Sequence, residues 1–290
     1  MEVSTSDLFP QIMYGLIVVG IVYAVYMSME VMWRIFLGYS LTRVAVYPMT
    51  GSSAKVFTQD PSDAKSVYLP VSQNQLTGIE FSYSTFLYIA DTTFTNANSS
   101  YLSTVFYKGY TAGPFPLCGP GVFVTSDGTN NPILRIIMNS YSNWYNAVDI
   151  KQIPVNKWFH LVLVLSSNNT LNVYINGNLA NKMILDGTIA YQNYQPLHVL
   201  PPYTTPGAAT TDFDNSSGTS VKRGIPAGKN FIIKGPINGY VSNIFYYSYA
   251  IGYAEIQSLL QMGPSSQMDT TTMITPPYLI DTWWTQQRNT

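Results

Sequence analysis

The chain has 290 residues, of which 46% are apolar and only 10% charged, with a formal net charge of −1 and one cysteine. An average soluble protein is about 25% charged, so hydroxyls and amides must supply this surface, which suits packing against other proteins; the abundance of Tyr and Thr is equally what β-sheets favour. No cluster of Lys and Arg offers the phosphate neutralisation that would make nucleic acid the main partner, and the lone Cys118 excludes an intrachain disulfide framework.

Residues 1–9 read as an N-terminal tail. The stretch Leu8–Met29 carries no charged side chain. Twenty-two residues of helix span about 33 Å, enough for a hydrocarbon core of about 30 Å. A transmembrane helix with its extension is therefore expected over 10–38, with Trp33 at the interface belt. Glu2 and Asp7 precede it, and no Lys or Arg does. A cleaved signal wants a basic leading region, so a retained single-pass anchor is the better reading. Arg34, Arg43 and Lys55 follow the span, which places the C-terminal part on the cytosolic side. A single thiol fits that reducing side. The sequons at Asn98, Asn168 and Asn215 point the other way, although such triplets arise readily by chance in a chain this rich in Asn, Ser and Thr.

From about Leu41 the pattern is β. Ser66–Pro70, Ile79–Ile89, Leu102–Gly109, Gly121–Gly128 and Pro132–Ser140 are short β-branched and aromatic runs separated by turn residues. That rhythm predicts a sandwich or barrel. In Trp158–Leu165 both alternating sets are mostly apolar, as in a strand covered on both faces. Ser166–Thr170 is a polar turn. Leu171, Val173 and Ile175 then alternate with Asn172, Tyr174 and Asn176. Asn176-Gly177 is the strongest short hairpin signal, because a type I′ turn needs positive φ at two successive residues. Asn178–Leu185 returns as the next strand, completing a three-stranded meander.

Trp158-x-His160 followed by Leu171-x-x-Tyr174-Ile175-Asn176-Gly177 resembles the concanavalin A-like, laminin-G-like jelly roll. Gly239–Leu260, with Tyr247, Ala250 and Glu255-Ile256, resembles the closing strand and short terminal helix of that family. The resemblance covers about Val44–Met262, within a jelly-roll domain expected over 41–262. It implies a mainly β antiparallel sandwich in which Trp158 and His160 are packing residues. His198 lies in a Pro-rich stretch and has no evident partner. Glycoside hydrolases of the superfamily need two carboxylates flanking the scissile bond. No Glu-x-Asp-x-Glu run occurs and Glu80 stands alone, so no enzymatic activity is expected. Calcium is the one cofactor the resemblance leaves open. Ser126–Asn131 and Asp212–Gly218 have suitable oxygens but no EF-hand spacing, and read better as polar loops. Zinc, phosphate-loop and Ser-His-Asp signatures are absent from the sequence.

Residues 196–230 form a long Pro-, Gly- and Thr-rich loop, and 263–290 a linker with an aromatic tail. Trp283 and Trp284 are the candidate partner-binding residues; another protein, the chain's own domain and a membrane interface are their three destinations. The expected function is that of a non-enzymatic, membrane-anchored structural protein linking a bilayer to a protein shell. This organisation resembles minor capsid or virion membrane proteins of large icosahedral DNA viruses, located between an inner membrane and the capsid. The implied partners are the membrane and other structural or capsid proteins. The alternative is a surface-exposed, lectin-like module recognising glycan or protein.

Overall fold

The computed structural model describes residues 5–64, 66–72, 79–94, 101–109, 117–129, 131–166, 168–186, 190, 192–202, 204 and 232–269. The chain divides into two compact units, Met1–Arg43 and Val44–Thr290.

The first unit is helix α1, Thr5–Thr42, longer at both ends than expected. Within it Met13–Met32 is long and apolar enough to cross a membrane. The side chains of this window are exposed around the whole circumference, Glu30 alone being half-buried. A helix that is apolar on every side has no polar face to give to water. Ser28 turns its hydroxyl back onto the Val25 carbonyl at 2.8 Å, so its one polar group is satisfied inside the helix.

The second unit is a two-sheet sandwich. One sheet joins β1 (Arg43–Gly51), β13 (Gly239–Tyr247), β3 (Phe81–Ile89), β8 (Trp158–Ser166), β9 (Thr170–Ile175) and β10 (Asn178–Ile184), in that order. The other joins β2 (Lys55–Phe57), β11 (Leu197–Val199), β4 (Tyr101–Lys108), β5 (Gly121–Ser126), β6 (Pro132–Met138) and β7 (Asn146–Lys151); β12 (Ile232–Pro236) adds to β4 in parallel. Pairing is antiparallel from β13 to β10 and from β2 to β7.

Alternation builds the core. Phe159, Leu161, Leu163 and Leu165 of β8 point between the sheets with Leu87, Val124, Ile136 and Val173. Val162 and Val164 point outward, beneath Ile256 and Leu259 of α2 (Tyr253–Met262), together with Phe245 and Tyr247. Both faces of β8 are thus covered, which is why its sequence is apolar at all positions but His160 and Ser166. Asn176 (φ 49°) and Gly177 (φ 77°) form the expected tight turn, with Asn178 opposite Ile175.

Three expectations are corrected. Ser66–Pro70 is not a strand: Val67 N–H reaches the Thr58 carbonyl and Leu69 N–H the Gln59 side chain, so the run spends its donors on a side chain and a neighbouring loop. The loop expected from residue 196 begins instead with β11. His198 therefore sits in a strand between β2 and β4, and its ring stacks on Tyr107 with centroids 4.8 Å apart. The packed body also runs past Met262. Met268 bridges to Thr50, Thr50 and Asp269 exchange backbone bonds with this segment, and Asp269 pairs with Lys55 at 2.7 Å and accepts from the Tyr47 hydroxyl at 3.0 Å. Asn98, Asp212–Gly218 with Asn215, and Trp283 and Trp284 lie outside the described residues.

Candidate binding surface

The outer face of the six-stranded sheet carries one aromatic ring on each of three neighbouring strands. Tyr240 of β13 stands opposite Tyr88 of β3, which stands opposite Trp158 of β8. Ring centroids are 6.0 Å apart for Tyr88–Tyr240, 5.7 Å for Tyr88–Trp158 and 6.4 Å for Trp158–Tyr240, with planes inclined by 65°, 57° and 39°. All three are half-buried. Trp158 thus packs, as expected, yet keeps part of its ring at the surface.

The loops at this end of the strands are tied to one another. Asn156, in the left-handed region at φ 56°, donates its N–H to the Ile89 carbonyl at 2.8 Å and accepts the Asp91 N–H on its side-chain oxygen at 3.1 Å. Ala90 N–H donates to the Asn238 carbonyl at 2.8 Å, and Asn238 N–H to the Thr93 hydroxyl at 3.0 Å. A Cβ at Gly239 would lie 1.9 Å from the Tyr88 carbonyl oxygen, so only glycine lets β13 approach this closely. The rim is therefore set by backbone bonds before any ligand arrives. The exposed side chains of Asp91 and Lys157 make no hydrogen bond or ion pair among the described residues.

Further along the same face the surface is closed. His160 is fully buried, accepts or donates at Nε2 to the Ser84 hydroxyl (2.8 Å), and stacks on Phe86 at 4.5 Å. Burial pushes its pKa down to about 4, which keeps the ring neutral. Among the described residues the Ser84–His160 pair has no third partner: Nδ1 of His160 is buried without a hydrogen bond. It is a packing histidine, as the family resemblance implied.

The other sheet's outer face holds a second aromatic series, His198–Tyr107–Phe123, the last pair 6.4 Å apart and nearly parallel. Beside it Arg135 of β6 grips Asp149 of β7 with two bonds of 2.7 Å each. Tyr107 and Phe123 are fully buried, so this face is core rather than surface.

The acidic side chains with described partners are committed to structure. Asp127 accepts the N–H and hydroxyl of Thr129 and the N–H and side-chain amide of Asn131, all between 2.6 and 3.2 Å, which holds its carboxyl below the ordinary range. Asp127 closes a self-bonded Asx turn with Thr129, and its carboxylate already has its donors. Asp60 is capped by Ser62, and Glu255 by the Tyr249 hydroxyl. Among the described residues no three His, Cys, Asp or Glu gather as metal ligands. Lys108 is buried, donates to the carbonyls of Asn193 and Gln195, and has its pKa lowered to about 8 by that burial. Burial pushes the Cys118 thiol up, which keeps it unreactive.

Sequence reasoning singled out Trp158 for packing but neither Tyr88 nor Tyr240. Period-two alternation places each on an outer face; the register that lines them up spans residues far apart in the chain.

Residues 62–201 match the family model Laminin_G_3, Concanavalin A-like lectin/glucanases superfamily. No curated protein sequence matches the chain. Among solved structures, the botulinum neurotoxin serotype D binding domain is similar at 11% identity and TM-score 0.44, over 76% of this chain and 51% of that one. A heptameric SAP-like pentraxin from Limulus polyphemus is similar at 12% identity and TM-score 0.40, over 78% and 83%. Trypanosoma rangeli sialidase is similar at 14% identity and TM-score 0.36, over 63% and 22%. The chain spans about half the length of the neurotoxin domain it matches. With its two antiparallel sheets and its inter-sheet core, the body of this chain is a mainly β sandwich, and residues 62–201 of it match the concanavalin A-like family model.

Proposed function

We propose that this chain is a non-enzymatic binding protein held at a bilayer by α1, which ties that bilayer to a protein layer facing it. The observation that carries the reading is the exposed apolar helix, of membrane-crossing length, joined to a sandwich in which the carboxylates of Asp127, Asp149, Glu255 and Asp269 serve turns, ion pairs and hydroxyl bonds. The low charge supports a domain that spends its life against protein. In its specific form the layer is a capsid shell and the chain a minor capsid or virion membrane protein between that shell and an inner membrane. The basic residues after the span support a domain on the cytosolic side during assembly, which becomes the shell-facing side. Alkaline carbonate extraction of membranes carrying the full chain tests the anchor. The chain is expected to stay in the pellet; release into the supernatant would leave the tether without a foothold.

A second reading, a surface-exposed lectin-like module, is favoured by the half-exposed Tyr88–Trp158–Tyr240 row. It requires the opposite topology, with the exposed Asn168 in the β8–β9 turn open to glycosylation.

A further inference from the structure

We propose that residues 263–269 form a clasp that locks β1, the strand by which α1 joins the sandwich, and that β1 and this clasp open together as one unit apart from β8 and β9. The purpose of the clasp rests on the tether reading; its existence is tested without a bilayer.

The position of β1 creates the need. α1 ends at Thr42 and β1 begins at Arg43, so a pull on a helix held in lipid enters the sandwich through β1. That strand lies at the edge of the six-stranded sheet, beside β13. An edge strand is laddered on one side only, and Pro48 within it has no N–H to give. Loaded from Arg43, such a strand comes away bond by bond toward Gly51.

The clasp holds that far end. Thr50 donates its N–H to the Gln267 carbonyl and accepts the Asp269 N–H on its own carbonyl, both at 2.8 Å. β1 thereby gains a second main-chain neighbour, bridged in parallel from Thr50 to Met268. Ser265 N–H donates to the Ser242 hydroxyl at 2.8 Å. The Thr50 hydroxyl is 2.7 Å from that hydroxyl and 2.7 Å from the Ser265 carbonyl. These contacts close a ring through β1, β13 and the clasp.

β13 is shaped to receive it. Its pairing with β3 is irregular between Ser242 and Phe245, and there Asn243 takes φ 51° and donates its side-chain amide to the Gly263 carbonyl at 2.9 Å. Asp269 makes the last fastening. Its carboxylate receives the Tyr47 hydroxyl of β1 at 3.0 Å and the Lys55 ammonium of β2 at 2.7 Å. One carboxylate thus joins the edge strands of the two sheets. A Cβ at Gly51 would lie 2.1 Å from the Tyr47 hydroxyl oxygen, so glycine leaves Tyr47 its path to Asp269. Thr50, Ser242 and Asp269 are buried, and losing one partner leaves another buried polar group unpaired. Opening β1 past Thr50 breaks these bonds together, which is what makes strand and clasp one cooperative unit.

Hydrogen exchange of the full chain in detergent, read at single residues, decides the matter. The amides of Thr50 and Asp269 and the slowest amide of 46–49 are expected to share one protection factor to within about threefold. Thr50→Val keeps the shape and removes the ring hydroxyl. It is expected to lower all three by about tenfold and to leave the amides of 159–175 unchanged. Asp269→Asn, the milder change, is expected to lower the three by a common factor. Unequal protection in the native chain would overturn the proposal. So would a variant that loosens Thr50 and Asp269 while 46–49 stays protected, or one that loosens 159–175 equally. Release of the chain by carbonate bears on the tether alone, since none of these ratios involves lipid.

Discussion

The side chain of Asn176 closes on the backbone of His160. Its oxygen accepts the His160 N–H at 2.9 Å, while its own N–H donates to the His160 carbonyl, also at 2.9 Å. The head of β8 and the foot of β9 are thereby locked by one residue that also takes the first left-handed position of the turn. Asn tolerates that conformation and supplies the amide; this is why Trp-x-His at one strand's start and Asn-Gly at the next strand's end belong to one device. Gln257 of α2 then donates to the Gly177 carbonyl at 3.1 Å, fastening the helix to the same turn.

Replacing Asn176 with Ala removes both the positive-φ tolerance and the acceptor for a backbone N–H. The expected cost is about 2–3 kcal/mol. Asn176→Gly keeps the turn and loses only the bond, at about 1 kcal/mol. Thermal unfolding of the full chain in detergent, followed by circular dichroism, ranks the three proteins; equal midpoints for the Ala and Gly variants would show that the turn conformation contributes nothing.

His160 gives the stability a pH dependence whose sign is fixed. Its folded pKa is about 4 against an ordinary 6.5. Above 6.5 the ring is neutral in both states and its contribution is complete. As pH falls from 6.5 through 4 the unfolded chain binds a proton that the folded chain refuses, so stability drops, by about 3 kcal/mol at most. The stability gap between the native chain and His160→Gln is expected to narrow between about pH 7.5 and about pH 4.5. A gap that stays constant would mean that the ring titrates normally.

Arg135 and Asp149 form a two-bonded pair whose side chains are 12% and 34% exposed. Partial exposure screens it, so a double-mutant cycle with Arg135→Met and Asp149→Asn should return a coupling of about 1 kcal/mol, reduced in high salt. A coupling near zero at low salt would assign the pair no part in joining β6 to β7.

The Asp127 carboxylate is saturated by Thr129 and Asn131. Adding millimolar calcium, or removing it with a chelator, is expected to move the unfolding midpoint by less than about 1 °C, since a ligand stabilises only what it binds. A rise of several degrees with calcium would identify a site elsewhere in the chain.

Much of this fold is legible in the residues themselves. β8 shows its two-sided burial in a run that is apolar on both alternating sets but for His160, and the meander follows from two turn signals. The apolar helix α1 is visible as an uncharged run. β11 is not visible: three residues in a Pro-rich stretch become a strand only because β2 and β4 supply partners on both edges. Ser66–Pro70 errs in the other direction, since β-prone residues form no strand without an edge to join. The aromatic row is hidden for a related reason. Tyr88, Trp158 and Tyr240 are ordinary outward residues of three strands, and only cross-strand register makes them neighbours.

The central claim, a bilayer tether whose sandwich faces a protein layer on the cytosolic side, is tested most directly by protease protection in sealed microsomes, with detection at the C-terminus. The account predicts that the sandwich is digested without detergent and that Asn168 carries no glycan. Protection of the sandwich until detergent is added, with glycan on Asn168, would contradict it and place the aromatic row on an exposed, lectin-like surface.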